Sequence, residues 1–274
     1  MFAISSLLFV PGSRADRFAK AKDAGADLTV IDLEDAVAAG DKREACDVAL
    51  EHIARSRAGW AIRINGVTTQ AGIRDLAALC DADVLPEKLL VPMVENAAEI
   101  AVIAGALQDR CPPIIPLIET PRGLRSALEI ASALQVEAVM FGGGDFAGEI
   151  GVDLSWEPLL VARQQLIMAC AEAGKPTIDV PFVNLDNSDG LARECDAARA
   201  IGFTAKAAIH PVQVPTINAA FAPSEDEIAE AREALAAYEA GGQRAIRFKG
   251  RMLEAPFIKQ YRAVIARGEG EAHA

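Results

Sequence analysis

The chain is poor in the residues that build disulfide frameworks, metal clips and aromatic platforms. Its 274 residues include five cysteines and three histidines, and only 5% are aromatic. The cysteines stand at 46, 80, 111, 170 and 195, an odd count with no CxxC spacing. That pattern argues against a disulfide framework or a zinc site. Cys46, Cys80, Cys170 and Cys195 fall in alanine-rich, helix-like segments and read as small apolar thiols. Basic residues are outnumbered, with 27 Lys and Arg against 39 Asp and Glu and a formal charge of -12. This excludes the broad basic footprint that nucleic acid requires. It leaves room for a phosphate-bearing cofactor, which two or three local arginines can hold. No apolar run approaches the roughly 20 residues that cross a bilayer. The opening MFAISSLLFVPGSR lacks the basic n-region of a secretory leader. The expectation is a cytoplasmic protein that engages neither membrane nor nucleic acid.

What the sequence does contain is a series of short apolar runs: SLLFV, LTVID, WAIRI, KLLVP, PIIPLI, AVMFG, PTIDV and AKAAI. They are mostly non-alternating, as expected of parallel strands buried on both faces. Helical patterns separate them. Thr120 is placed to cap a helix with Pro121 at its first position, and Ser224 to cap another with an acidic first turn, Glu225 to Glu227. Strand then helix, eight times in this length, predicts an α/β fold: a TIM (β/α)8 barrel over residues 1–222. A helical extension, basic and amphipathic toward its end, is expected over residues 223–274. A doubly wound open sheet is the competing architecture.

A reactive group follows most of the apolar runs: Arg14, then Asp32, Glu34 and Asp35, then Arg63, Glu119, Asp145, Asp179 and His210. A barrel works at the C-terminal ends of its strands, so this placement reads as a catalytic face. Glu119 in IPLIETPRG and Asp145 in FGGGDFA end neighbouring strands and can share one divalent ion, with oxygen ligands that suit Mg²⁺. Capping of a helix by Glu119 and pairing of Asp145 with an arginine are the bland alternatives. Three acids in four residues, Asp32, Glu34 and Asp35, repel one another unless a cation or donors compensate. They read as holders of metal-bound waters or as loop caps. Arg63, inside a strand, is an anchor for a substrate carboxylate or a structural partner of those acids. Arg14 and Arg17 follow a PGS turn where phosphate could sit. Lys206 invites a Schiff-base reading and also one of charge neutralisation.

The segments SSLLFVPGSR, VIDLEDAV, IRIN, LIETPRG, FGGGDFA and KAAIHPVQVPTIN, followed by FAPSEDEIAEA, resemble the citrate lyase beta-subunit family of the HpcH/HpaI aldolase/citrate lyase superfamily. The likeness runs in order from residue 5 to about 258. It implies a Mg²⁺-dependent lyase that cleaves a 3-hydroxyacyl-CoA (citramalyl-CoA, malyl-CoA or citryl-CoA) to acetyl-CoA and an α-keto acid. It makes Glu119 and Asp145 the metal ligands and Arg63 the carboxylate-binding residue. Asp32, Glu34 and Asp35 would hold the metal's waters, and Arg14 and Arg17 would lie by CoA. A homo-oligomer, trimer or hexamer, or a place in a citrate lyase complex is implied. So is a C-terminal acid serving an adjacent subunit, here Glu254 in GRMLEAP where aspartate is usual. Met93 in VPMVE stands where lysine is common. A thioester hydrolase, a CoA-independent hydroxy-acid aldolase and a non-catalytic barrel subunit are the other readings.

Overall fold

A computed structural model of the chain describes residues 4–268. They form two compact units, Ile4–Asn218 and a second from Ala219 onward. The first is a closed barrel of eight parallel strands in sequence order. Its strands are β1 (Ser6–Pro11), β2 (Leu28–Asp32), β3 (Trp60–Arg63), β4 (Lys88–Val91), β5 (Ile114–Ile118), β6 (Val139–Phe141), β7 (Thr177–Asp179) and β8 (Ala205–Ala208). Pairing of Ser6 with Lys206 closes the ring between β1 and β8. Every residue of β2 and β5 is buried, which is why these runs are continuous rather than alternating.

The helices that cover the barrel start where the local chemistry permits. Thr69 accepts from the Gly72 N–H ahead of α3 (Gln70–Asp81), and Asn96 from the Ala98 N–H ahead of α4 (Ala97–Leu107). Thr120 caps the segment after β5 as expected, accepting from Gly123, with Pro121 in the first turn. That segment is two short helices, Pro121–Arg125 and Ala127–Ala131, because the backbone breaks at Ser126. The glycine run 142–144 opens a helix, Gly143–Ile150. The other barrel helices that matter below are α2 (Lys42–Arg55), between β2 and β3, and the helix Trp156–Glu172, which precedes β7.

The ends of β7 and β8 enclose a buried ionic cluster. Asp179 accepts from Arg163 Nε at 2.9 Å and from Lys206 Nζ at 2.6 Å. Lys206 also donates to the Val180 carbonyl at 2.7 Å and to Glu194 at 2.8 Å. The Arg163 guanidinium lies over the Trp156 ring, 4.7 Å from its centroid. Burial opposes charge on Asp179, yet Lys206 and Arg163 outweigh it and hold its carboxyl below the usual range. Burial likewise opposes charge on Lys206, and Asp179 and Glu194 outweigh it, raising its pKa. A lysine so held is charged and fully engaged, so it is not a Schiff-base amine. His210 is an exposed cap whose Nδ1 accepts from the Val212 N–H.

The second unit holds Glu225–Ala240, a hairpin of Ile246–Phe248 with Arg251–Leu253, and Ala255–Gly268. Ser224 caps its first helix through a capping box with Glu227. The expected extension thus carries a hairpin besides its helices. Its two-residue loop, Lys249-Gly250, has positive φ at both positions, 44° and 82°, the geometry that suits a tight hairpin turn. Ala234, Tyr238, Leu253 and Ile258 form its core. No helix among the described residues is long and apolar enough to cross a membrane.

Removing one member of the β7–β8 cluster leaves a buried charge without its partner. Lys206→Met is expected to destabilise the barrel by about 3–5 kcal/mol, measured as a loss of urea midpoint at unchanged slope.

Candidate active site

The strand register builds the site. Asp32 and Arg63 are partners across β2 and β3, and Ile118 and Phe141 across β5 and β6. The residues that follow the second pair, Glu119 and Gly142, therefore lie side by side. A pocket of about 390 Å³ opens at these strand ends. Its acids are Asp32, Asp35, Glu119 and Asp145, and Arg63 is the one cation in its lining. Phe9, Leu117, Met140, Leu154, Val180, Val183 and Ile209 supply apolar walls.

Arg63 is spent on the acid loop. Its Nε and Nη2 each donate at 2.7 Å to the two carboxylate oxygens of Asp32, a bidentate pair. Its Nη1 lies 2.7 Å from Glu34 Oε2 and donates to Asp35 at 3.3 Å. The Glu34 contact is close but poorly aligned, so that oxygen has the Coulomb attraction without a hydrogen bond. The guanidinium also lies 5.0 Å from the centroid of the Phe9 ring. Asp32 is saturated, since its oxygens further accept from the Glu34 and Ala36 N–H groups. Of the three loop acids, Asp35 is the exposed one. The sequence left Arg63 between substrate clamp and structural partner, and here it is packed against the loop acids.

Glu119 is 2% exposed and is gripped by main chain. The Met93 N–H donates to its Oε2 at 2.6 Å. Met93 sits at φ 55°, a left-handed conformation unusual for a side-chain-bearing residue. Its side chain departs from the expected lysine, while its backbone serves the carboxylate. Gly142 leaves Glu119 its space: a β-carbon there would overlap the Glu119 side chain. Asp145 is exposed in the first turn of the helix Gly143–Ile150, where a carboxylate faces the positive end of the macrodipole.

The electrostatics are those of an acid-rich site with too little compensation. Burial, then the charge of Glu34, pushes the Glu119 carboxyl up to about 8. Burial, tempered by Arg63, pushes Glu34 up to about 7. Burial and then Asp35 raise Asp145. A divalent cation fits this imbalance. Among the described residues no three acids, histidines or cysteines converge as a metal cage. Two carboxylates with the remaining positions open match the way Mg²⁺ is held, since it keeps several waters or substrate oxygens.

Other expected residues lie elsewhere. Arg14 is exposed, and its fork is taken by Asp16 at 2.8 Å. Arg17 is exposed at the end of a three-residue turn, and neither arginine lines the pocket. Glu254 belongs to the second unit, where its carbonyl accepts from the Phe257 and Ile258 N–H groups. It lines a separate cavity of about 570 Å³ there, with Arg251, Phe257 and Tyr261.

The structure is thus a closed eight-stranded TIM barrel with acids at the ends of β5 and β6. The profile of the HpcH/HpaI aldolase/citrate lyase family matches residues 5–211, and that of the C–C bond lyases of the TIM-barrel fold matches residues 163–269. The chain belongs to the HpcH/HpaI aldolase/citrate lyase family. It is 32% identical to the mitochondrial citramalyl-CoA lyase of Homo sapiens, covering 93% of this chain and 82% of that one. It is also 32% identical to a (3S)-malyl-CoA thioesterase of Cereibacter sphaeroides, over 97% and 95% of the two chains. CitE from Mycobacterium tuberculosis, solved with magnesium, acetoacetate and coenzyme A, superposes with a TM-score of 0.82 at 29% identity. That match covers 98% of this chain and 99% of the other.

The raised pKa of Glu119 has a sign that can be checked. Its folded value, about 8, lies above its ordinary value of 4.5, so the folded state holds the proton more tightly. Metal-free stability should then fall as pH rises through that window, because ionised Glu119 is penalised only when folded. A cation that requires the ionised form offsets the penalty. A divalent cation bound through ionised Glu119 would therefore raise Tm more near pH 8.5 than near pH 6. Glu119→Gln should flatten the metal-free fall, both read by calorimetry.

Proposed function

We propose that this protein is a Mg²⁺-dependent lyase that cleaves the C2–C3 bond of a 3-hydroxyacyl-CoA, giving acetyl-CoA and an α-keto acid. The observation that carries this reading is the buried Glu119 beside Asp145 in a pocket whose one cation is already committed to other acids. Similarity to a citramalyl-CoA lyase, and to a fold neighbour solved with magnesium and coenzyme A, supports the same chemistry.

In this reading Glu119 and Asp145 hold the ion. A divalent ion held by these two carboxylates would supply Lewis-acid stabilisation of charge that develops on the substrate. Arg63 holds the Asp32 carboxylate in place through its bidentate pair. Asp35, the most weakly held of its partners and the most exposed, is the group a substrate carboxylate displaces from Nη1. Met93 and Gly142 fix the Glu119 carboxylate so that it need not reorganise during the reaction. Glu34 and Asp35, whose oxygens are not all taken, accept from water in the site, and a base among the acids takes the C3 hydroxyl proton as the bond opens. Glu254 of an adjoining copy in a homo-oligomer returns a proton to C2, completing acetyl-CoA.

The walls bear on the substrate. Beyond the acids the pocket is apolar, and the bidentate edge of Arg63 faces Asp32 rather than open space. A hydrogen or methyl at C3 suits such a wall. The carboxymethyl group of citryl-CoA would lie there without a partner, at a cost of several kcal/mol, whereas one methyl changes binding by only about 1–3 kcal/mol. Malyl-CoA and citramalyl-CoA are favoured over citryl-CoA.

A coupled assay of the purified protein with Mg²⁺ against the three thioesters tests this. The expected result is α-keto acid and acetyl-CoA in equal amounts, with citryl-CoA the poorest substrate. Free CoA and intact hydroxy-acid would mark a thioesterase instead, the activity named for the Cereibacter relative. Glu119→Gln and Asp145→Asn should each lower turnover by about 100-fold or more, a loss of transition-state charge stabilisation. Chelation with EDTA should do the same to the unaltered protein. Glu254→Gln should lower kcat by about 10-fold or more, the usual size of a general acid's contribution being at least that. Unchanged kcat would remove Glu254 from the reaction.

A further inference from the structure

Lys42 occupies a place that its charge alone would disfavour. It is the first residue of α2, where the macrodipole presents its positive end and a cation is unwelcome. Its ammonium is turned inward to three oxygens: the Leu33 carbonyl at 3.1 Å, the Glu34 carbonyl at 2.9 Å and Asn65 Oδ1 at 2.5 Å. All three of its N–H bonds are thereby used. Asn65 completes the clamp. Its Nδ2 donates to the Leu33 carbonyl at 3.0 Å and to Asp75 at 2.7 Å, and its N–H donates to the same Asp75 oxygen at 2.9 Å. Asn65 and Asp75 are 4% and 3% exposed.

The two carbonyls so held lie between Asp32 and Asp35. Side chains from α2 and from just past β3 therefore grip the backbone of the acid loop from behind, and Asp75 of α3 braces Asn65. None of the three lines the pocket. We infer that Lys42, braced by Asn65 and Asp75, is a positioning residue that sets where the Glu34 and Asp35 carboxylates stand around Arg63, a role that rests on the lyase reading. Asp32 receives two of the loop's N–H groups, but the Glu34 and Asp35 side chains add little hold of their own, because Glu34 makes no aligned hydrogen bond to Arg63 and Asp35 makes only a long one. Main-chain anchoring supplies the rigidity that mutually repelling carboxylates would otherwise oppose.

The test uses Lys42→Met in the full chain, with kcat and KM for the preferred thioester. Hydrogen exchange is measured at the Glu34, Ala36 and Val37 amides, which donate within this loop. Expected are a fall in kcat of about 10-fold or more with KM within about two-fold, and faster exchange at those amides with β5 and β6 unchanged. In a Glu34→Gln background the same substitution should cost less than about two-fold, because the two act through one placement. Unchanged exchange, unchanged kcat, or full multiplicative loss in the double variant would overturn the assignment. If Lys42→Met does not fold, Asn65→Ser carries the same readouts. A wild-type protein without lyase turnover would defeat the lyase reading instead. Exchange alone then decides the clamp: faster in the variant upholds it, unchanged rejects it.

Discussion

A single guanidinium holds the acid-rich end of this barrel together. Arg63 and Asp32 are neighbours by strand register, and their bidentate pair is nearly buried. Such a pair is not a large net source of stability, since desolvation consumes much of its Coulomb energy. What it fixes is geometry. With both oxygens of Asp32 committed, the carboxylate can also receive the Glu34 and Ala36 N–H groups, which gives the loop after β2 its shape. Glu34 and Asp35 then crowd the remaining amino group of Arg63. The arginine is exhausted before the acids of β5 and β6 are reached.

Glu119 is thus left to other means. It sits buried, near other carboxylates, and among the described residues its hydrogen-bond donor is the Met93 amide. That amide is available because the backbone turns left-handed at Met93, and room for the carboxylate exists because residue 142 has no side chain. Both arrangements cost stability: a non-glycine left-handed residue about 1 kcal/mol or more, and a buried acid its ionisation. Costs concentrated on one carboxylate are the mark of a site arranged for a ligand rather than for the fold. A divalent ion at Glu119 and Asp145 would turn that penalty into binding energy.

Much of this was legible in the sequence, and the reasons are physical. Buried parallel strands are short and continuously apolar, so the runs KLLVP and PIIPLI mark β4 and β5, and a threonine before Pro121 is placed to cap a helix. The acids at strand ends stood out because charge following a buried run is expensive without a purpose. The helix Gly143–Ile150 was hidden, because three glycines oppose helix formation locally and tertiary packing overrode them. The hairpin at Lys249-Gly250 was hidden by the amphipathic pattern around it, although KG between two alternating triplets is a turn signal. The roles of Met93 and Lys42 were invisible for a deeper reason. One acts through its main chain and the other on main chain, and neither leaves a pattern in side-chain spacing. The position of Lys42 at a helix start was the available clue.

The barrel carries a second ionic cluster at the same end, and the comparison separates structure from function. Arg163 and Lys206 face Asp179 and Glu194, two cations against two acids joined by short bonds, with Arg163, Lys206 and Asp179 buried and Glu194 half-buried. It is electrically complete, so it has nothing to offer an ion and stands as a strut between β7 and β8. Around Arg63 the acids Asp32, Glu34, Asp35, Glu119 and Asp145 share one cation and open to a pocket. The sequence presents both sets alike, as charged residues just past apolar runs. Only the count of partners distinguishes them. A balanced cluster explains itself, whereas an unbalanced one at the working face of a barrel implies a charge that arrives with the ligand.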